Sequence, residues 1–116
     1  MKTFFKSFVY AWNGVVDGVA NGRNMKSHFL SAVIVVLAGL FTGLTIMEWC
    51  IVILLIGGMM ALELMNTAVE YVVDLVTLEF HPLAKKAKDV AAGSVLIYAI
   101  ISAIVGFMIF LPKWFG

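Results

Sequence analysis

Charged side chains are scarce in this sequence. Asp, Glu, Lys and Arg make up 13% of it, against about 25% in an ordinary soluble chain. With 63% apolar residues and a mean hydropathy of +1.05, too little polar surface remains to face water, so lipid is the solvent for most of the chain. The net charge of +1 excludes a charge-driven nucleic-acid partner. Cysteine is almost absent. Cys50 is the single thiol, which rules out an internal disulfide, and its apolar surroundings suit a small filler rather than a nucleophile. The sequence also lacks a GxxxxGKS/T loop, a GxGxxG turn, a protein-kinase catalytic loop, a GxSxG elbow and a CxxC pair. Any phosphoryl chemistry here must rest on carboxylates, a metal ion and positioning.

What is present reads as an all-α integral membrane protein in one domain, 1–116. Residues 1–22 have a helical period, with Phe5, Phe8, Val9, Trp12, Val15, Val16 and Val19 on one face and Lys2, Lys6, Asn13 and Asp17 opposite. This is the pattern of an amphipathic helix lying in a membrane surface. Lys6, Asn13 and Asp17 interrupt the apolar run, and no small-residue cleavage site follows, so it does not read as a signal peptide. Asn21 to Asn24 form a turn. Three transmembrane helices are expected over about 29–47, 49–73 and 88–111, each long enough to cross a bilayer core of about 30 Å. Gly39 and Gly43 make a weak GxxxG signal, and Gly57-Gly58 mark a close contact or a bend in the second span. A loop is expected over 76–86.

Seven of the eight basic residues lie before the first span or in the second loop; only Lys113 lies at the other end. The positive-inside rule then places the N-terminus and second loop in the cytoplasm and the C-terminus outside, in the plasma membrane of the cell. Trp49 and Trp114 fall at the outer interface.

The second span carries the costly residues. Glu63, Asn66, Glu70 and Asp74 are spaced by three, four and four positions, which places them within roughly 80° of one helix face. Glu63 lies roughly 21 Å along the helix from Trp49, in the inner third of the bilayer core. Glu70 is about 10 Å further, at or beyond the inner interface. An intramembrane carboxylate is expensive and reads as functional by default. One carboxylate at lipid-headgroup depth and another facing water suit a reaction between a lipid and a soluble reagent. Glu70, with Asn66 or Asp74, offers hard oxygen ligands of the kind that hold Mg²⁺ together with substrate phosphates. Lys85, Lys86 and Lys88 offer cations for phosphate, although Lys85, Lys86, Asp74 and Glu79 are equally well explained as interfacial charges. Lys88 and Asp89 also suit a helix start. His28 suits the interface better than a metal, having no second histidine at ligand spacing.

The run Glu63-Leu64-Met65-Asn66-Thr67-Ala68-Val69-Glu70, followed by Val73-Asp74, His81-Pro82-Leu83-Ala84-Lys85 and Ala87-Lys88-Asp89-Val90-Ala91-Ala92-Gly93, resembles the small prokaryotic diacylglycerol kinase family. Its wording is similar to the Gram-positive branch of undecaprenol kinases. Tyr10-Ala11-Trp12-Asn13-Gly14 and Arg23-Asn24-Met25 extend the resemblance over nearly the whole chain. It implies a homotrimer with active sites shared between subunits, ATP as co-substrate, Mg²⁺ as cofactor and a lipid alcohol as acceptor, undecaprenol before diacylglycerol. Within it, Glu63 resembles the general base and Glu70 a metal ligand. Asn66, Lys88 and Asp89 resemble the groups around the ATP phosphates, and Tyr10, Glu79 and His81 those on the nucleotide side.

One position departs. The family pattern has a glutamate, a second metal ligand, immediately before Arg-Asn, where this chain has Gly22. Either Asn21 or Asp17 supplies an oxygen in its place, or metal binding is weaker, or activity is lost. Two rivals to a lipid kinase therefore stand: a non-catalytic homologue, and a small cation or proton pathway built on the intramembrane carboxylates.

Overall fold

The computed structural model describes residues 2–116; Met1, at the edge of the expected surface helix, lies outside the described residues. The described residues form four helices: α1 (Lys2–Asn21), α2 (Met25–Thr42), α3 (Ile46–Val76) and α4 (Pro82–Phe115). Three of them, α2 to α4, are long and apolar enough to cross a membrane, which makes this an all-α membrane protein. The principal extents are 53 × 43 × 19 Å.

Local chemistry sets each helix boundary. Gly43 ends α2 with φ 80°, a left-handed conformation that glycine adopts without steric cost. Its N–H closes on the Gly39 carbonyl at 2.9 Å. The first span therefore stops at Thr42, five residues before the expected end at 47. Thr45 then caps α3. Its hydroxyl accepts from the Glu48 N–H at 3.2 Å, and the Glu48 carboxylate accepts from the Thr45 N–H at 2.9 Å, a reciprocal capping box. α4 begins at Pro82 rather than near 88. Proline is pre-shaped for the first helical position, and the His81 Nδ1 accepts from the Leu83 N–H at 3.1 Å. The connection expected over 76–86 thus shrinks to Thr77–His81, and α4 continues through Pro112 to Phe115.

α3 and α4 form the main packed pair. Their 31 and 34 residues correspond to about 46 and 51 Å. Both overrun a bilayer core of about 30 Å. At the opposite end, Val52, Ile109 and Phe110 form a buried cluster against Trp49, Val35, Ala38 and Val105. The same end is tied by Trp114 Nε1–H donating to Thr42 Oγ1 at 2.8 Å and by Lys113 pairing with Glu48 at 3.0 Å. Mid-span, the Tyr98 hydroxyl donates to the Leu54 carbonyl at 3.1 Å, lying over Gly58, where any side chain would collide with its ring. Gly58 is thus a close-contact position, and α3 runs through the Gly57-Gly58 pair as one continuous helix. Of the GxxxG pair, Gly39 admits the Trp49 ring, whereas Gly43 is the helix stop.

α1 leans on α3 through its polar edge. Gly18 meets Leu64, and the Tyr71 hydroxyl donates to Asp17 Oδ2 at 2.7 Å. Its apolar face, including Phe5, Phe8, Val9 and Trp12, is exposed, as a surface helix facing lipid requires.

Candidate active site

Glu63 has no exposed surface. A buried carboxylate is costly unless other groups satisfy it. Here the turn between α1 and α2 supplies a donor: the Asn24 backbone N–H reaches Glu63 Oε1 at 3.3 Å. Asn24 occupies the N-cap position of α2, yet its side chain makes no cap. The α2 N-terminus is met instead by the carboxylate of α3, which the helix dipole favours. The other oxygen, Oε2, lies 3.5 Å from His28 Nε2. That separation is longer than an ordinary N–H···O hydrogen bond, and both atoms are buried without another partner among the described residues.

One turn along α3, the Asn66 amide N–H donates to Glu70 Oε1 at 3.0 Å. The Asn66 carbonyl oxygen is buried and has no partner among the described residues. This orphaned oxygen beside a half-buried carboxylate suits a hard cation that arrives with phosphate ligands of its own. It does not suit a resident ion held by protein alone: among the described residues, no three His, Cys, Asp or Glu side chains gather closely enough to cage one.

A cavity of about 200 Å³, polar along its α2 and α3 sides, joins Glu63 and Asn66. Glu63, Asn66, Arg23, Asn24 and His28 line it, and α4 contributes only Ala92, Val95, Leu96 and Ala99. On the other side of His28 lies a larger, mainly apolar cavity of about 290 Å³ between α2, α3 and α4. It extends past Val52 and Met59 to Phe110. The two share His28 and Ala99 as a common wall.

The other residues singled out in the sequence fall outside this nucleus. Lys88 pairs with Asp74 at 2.7 Å, bridging α4 to α3, one turn before Ala92 on the cavity wall. Asp89 pairs with Lys85 at 2.6 Å. Glu79 sits in the α3–α4 connection, where its N–H donates to Thr77 Oγ1 at 3.1 Å. His81 is the α4 cap. Tyr10 is exposed on α1, about 12 Å along that helix from the Gly18 contact. Asp17 accepts from Asn21 Nδ2 at 3.0 Å as well as from Tyr71, so the two candidate substitutes for a residue-22 ligand hold each other, and neither lines the polar cavity. Gly22 itself is crowded. A Cβ there would press on the Gly18 carbonyl oxygen and lie 3.4 Å from Thr67 Oγ1. Sequence spacing places Glu63, Asn66 and Glu70 on one face but gives no sign of His28 or of the Asn24 N–H, because their approach to α3 depends on how the first turn folds back.

Comparison with known proteins covers the same ground. The family model for prokaryotic diacylglycerol kinase matches residues 9–110. An undecaprenol kinase of Bacillus subtilis is 51% identical over 113 residues, 97% of this chain and 92% of that protein. A diacylglycerol kinase of Synechocystis is 45% identical over 91% of this chain and 61% of its own length. The diacylglycerol kinase of Escherichia coli K12 is 29% identical over 96% and 90%. The matched region runs from the surface helix through the buried carboxylate to the far end of α4, and with it this chain belongs to the prokaryotic diacylglycerol kinase family.

Proposed function

We propose that this protein transfers the γ-phosphate of ATP to the hydroxyl of a membrane lipid alcohol, with undecaprenol as the preferred acceptor and diacylglycerol the second choice. The observation that carries the reading is Glu63. It is fully buried, held by a backbone donor, and lines the polar cavity beside His28, which borders the apolar one as well. A lipid whose chain lies among the spans brings its hydroxyl to that boundary. The preference for undecaprenol rests on the Bacillus relative.

In the reaction, the alcohol oxygen attacks the γ-phosphorus in line. The new O–P bond forms as the bond to the β-phosphate oxygen breaks, ADP leaves, and the alcohol proton passes to Glu63 as general base. Asn66 and Glu70 would hold Mg²⁺, which when bound neutralises charge on the phosphates. Lys88 and Asp89 stand on the nucleotide approach, where phosphate competes with Asp74 for Lys88 and with Asp89 for Lys85. Glu79, His81 and Tyr10 flank the nucleotide. A homotrimer with shared sites would let a neighbouring subunit cover the polar cavity, whose α4 wall in this chain offers no charge. The basic residues favour a plasma-membrane orientation with the N-terminus and the α3–α4 connection in the cytoplasm and the C-terminus outside.

The test is transfer of labelled γ-phosphate to undecaprenol and to diacylglycerol, side by side, in membranes containing this chain. Labelled undecaprenyl phosphate in excess supports the full reading. Excess labelled phosphatidic acid keeps the kinase and reverses the acceptor order. No labelled lipid of either kind overturns the reading and favours a non-catalytic homologue or an ion pathway.

A further inference from the structure

We infer that His28 is a further active-site residue, which holds the acceptor hydroxyl against Glu63 by donating from Nε2 to the alcohol oxygen. The inference rests on the lipid-kinase reading and adds a residue that the α3 carboxylate pattern does not contain.

The geometry carries it. His28 Nε2 and Glu63 Oε2 lie 3.5 Å apart, both buried and both without a partner. Two such atoms are expensive to leave unsatisfied. A hydroxyl oxygen about 2.8 Å from each would close a triangle on that base with ordinary hydrogen-bond lengths. In this arrangement the alcohol O–H points at Glu63 Oε2, and its oxygen accepts from His28 Nε2–H. A lone hydroxyl has one donor and two acceptor lone pairs, so one lone pair remains for the γ-phosphorus. When the O–P bond forms, the proton has one acceptor to go to, Glu63, and the oxygen stays oriented by the histidine.

The surroundings support the same placement. His28 is the polar residue that both cavities share, so it marks the point where a hydrocarbon chain ends and a hydroxyl begins. Glu63 Oε1 is already engaged by Asn24, which leaves Oε2 as the free face of the carboxylate. α4 presents Ala92, Val95, Leu96 and Ala99 to this point, none of which can bond an alcohol oxygen. A polyprenol has no carbonyl or second hydroxyl to grip, so its orientation depends on the two partners of its one oxygen.

The experiment measures undecaprenol phosphorylation by the full chain in membranes, with His28→Ala, His28→Gln, Glu63→Gln and the His28→Ala/Glu63→Gln pair. His28→Ala should lower kcat by about 100-fold, the scale of losing one oriented donor to a reacting oxygen, with the KM for ATP within about twofold of wild type. His28→Gln keeps an N–H and should recover most of that loss. The double variant should be no more than about threefold slower than Glu63→Gln alone, because the two side chains act on one proton transfer. Should the alanine variant fail to accumulate, His28→Met fills the ring's space without a donor and takes its place. Wild-type kcat in the donor-free variant, a glutamine variant no faster than it, or losses that multiply in the pair would each overturn the role of His28. A wild-type chain inert on every lipid alcohol would instead overturn the kinase reading itself.

Discussion

Replacing Gly22 by glutamate supplies the carboxylate that the family resemblance implies at this position, and the structure gives that change two opposed consequences. The first is steric. A Cβ at residue 22 would lie 3.0 Å from the Met25 Cβ and 3.4 Å from Thr67 Oγ1, and would press on the Gly18 carbonyl oxygen. That oxygen already accepts from the Gly22 N–H at 2.7 Å. It is backbone in the last turn of α1 and cannot rotate aside as a side chain would. Overpacking of this kind costs about 1–3 kcal/mol, and the melting midpoint should fall by about 5 °C or more. The second consequence is chemical. Thr67 neighbours Asn66 on α3, so a side chain at 22 is aimed at the turn that carries Asn66 and Glu70. A second carboxylate there should lower the Mg²⁺ concentration for half-maximal turnover by about tenfold, the low end of what one added polar partner does at a metal site. Gly22→Ala separates the two effects, because it adds the Cβ without the oxygens. The assay is a thermal melt of both variants together with Mg²⁺ titration of lipid phosphorylation at saturating ATP. Equal Mg²⁺ requirements in the alanine and glutamate variants would refute the placement of a ligand at residue 22. Wild-type melting in both would refute the crowding.

Other perturbations read other parts of the molecule. Glu63→Gln should lower kcat by about 10²–10⁴-fold with little change in the KM for ATP, and wild-type turnover would remove the general-base role. Tyr71→Phe deletes the 2.7 Å hydrogen bond to Asp17, worth about 1 kcal/mol. Amide exchange along the C-terminal half of α1 should quicken several-fold, and unchanged exchange would show that Gly18 and Leu64 hold α1 alone. Lys88→Met releases Asp74 and should raise the KM for ATP by about tenfold if Lys88 meets phosphate when nucleotide binds, whereas an unaltered KM confines Lys88 to its pair with Asp74. Thr42→Val removes the acceptor of the Trp114 indole, so a shift in tryptophan emission is expected with no change in turnover; slower phosphorylation would tie that end of the bundle to the chemistry.

The membrane fold is legible because its signals are local and strong. Three long apolar runs specify three spans, and the alternation of Phe5, Phe8 and Trp12 with Lys2, Lys6 and Asn13 specifies a surface helix. The boundaries are less legible where a single residue decides them. Gly43 ends α2 through one left-handed conformation, although in the sequence it stands inside an apolar run and pairs with Gly39 as a packing motif. Pro82 starts α4 six residues before the expected position, because its geometry suits a first helical turn although a proline next to charged residues resembles loop composition. In both cases the composition of a window points one way and the backbone preference of one residue wins.

The site divides along a different line. Glu63, Asn66 and Glu70 can be placed together from sequence because helical spacing fixes which side chains share a face, and α3 is helical throughout. Asn24 and His28 are 39 and 35 positions before Glu63, and no periodicity relates them to it. Their contact with the carboxylate depends on a three-residue turn that brings the start of α2 against α3. The sequence offers a poor reason to notice His28: judged alone, a histidine near a membrane boundary needs no explanation. It gains one only beside a carboxylate that water cannot reach. Glu63 has no exposed surface, and His28 Nε2 faces its one uncommitted oxygen. The cost of burying that oxygen must be met by whatever enters between the cavities, and a hydroxyl is the group that satisfies both atoms at once. The same burial that makes Glu63 conspicuous in the sequence therefore also identifies the chemistry of its missing partner, once the fold has shown what stands opposite.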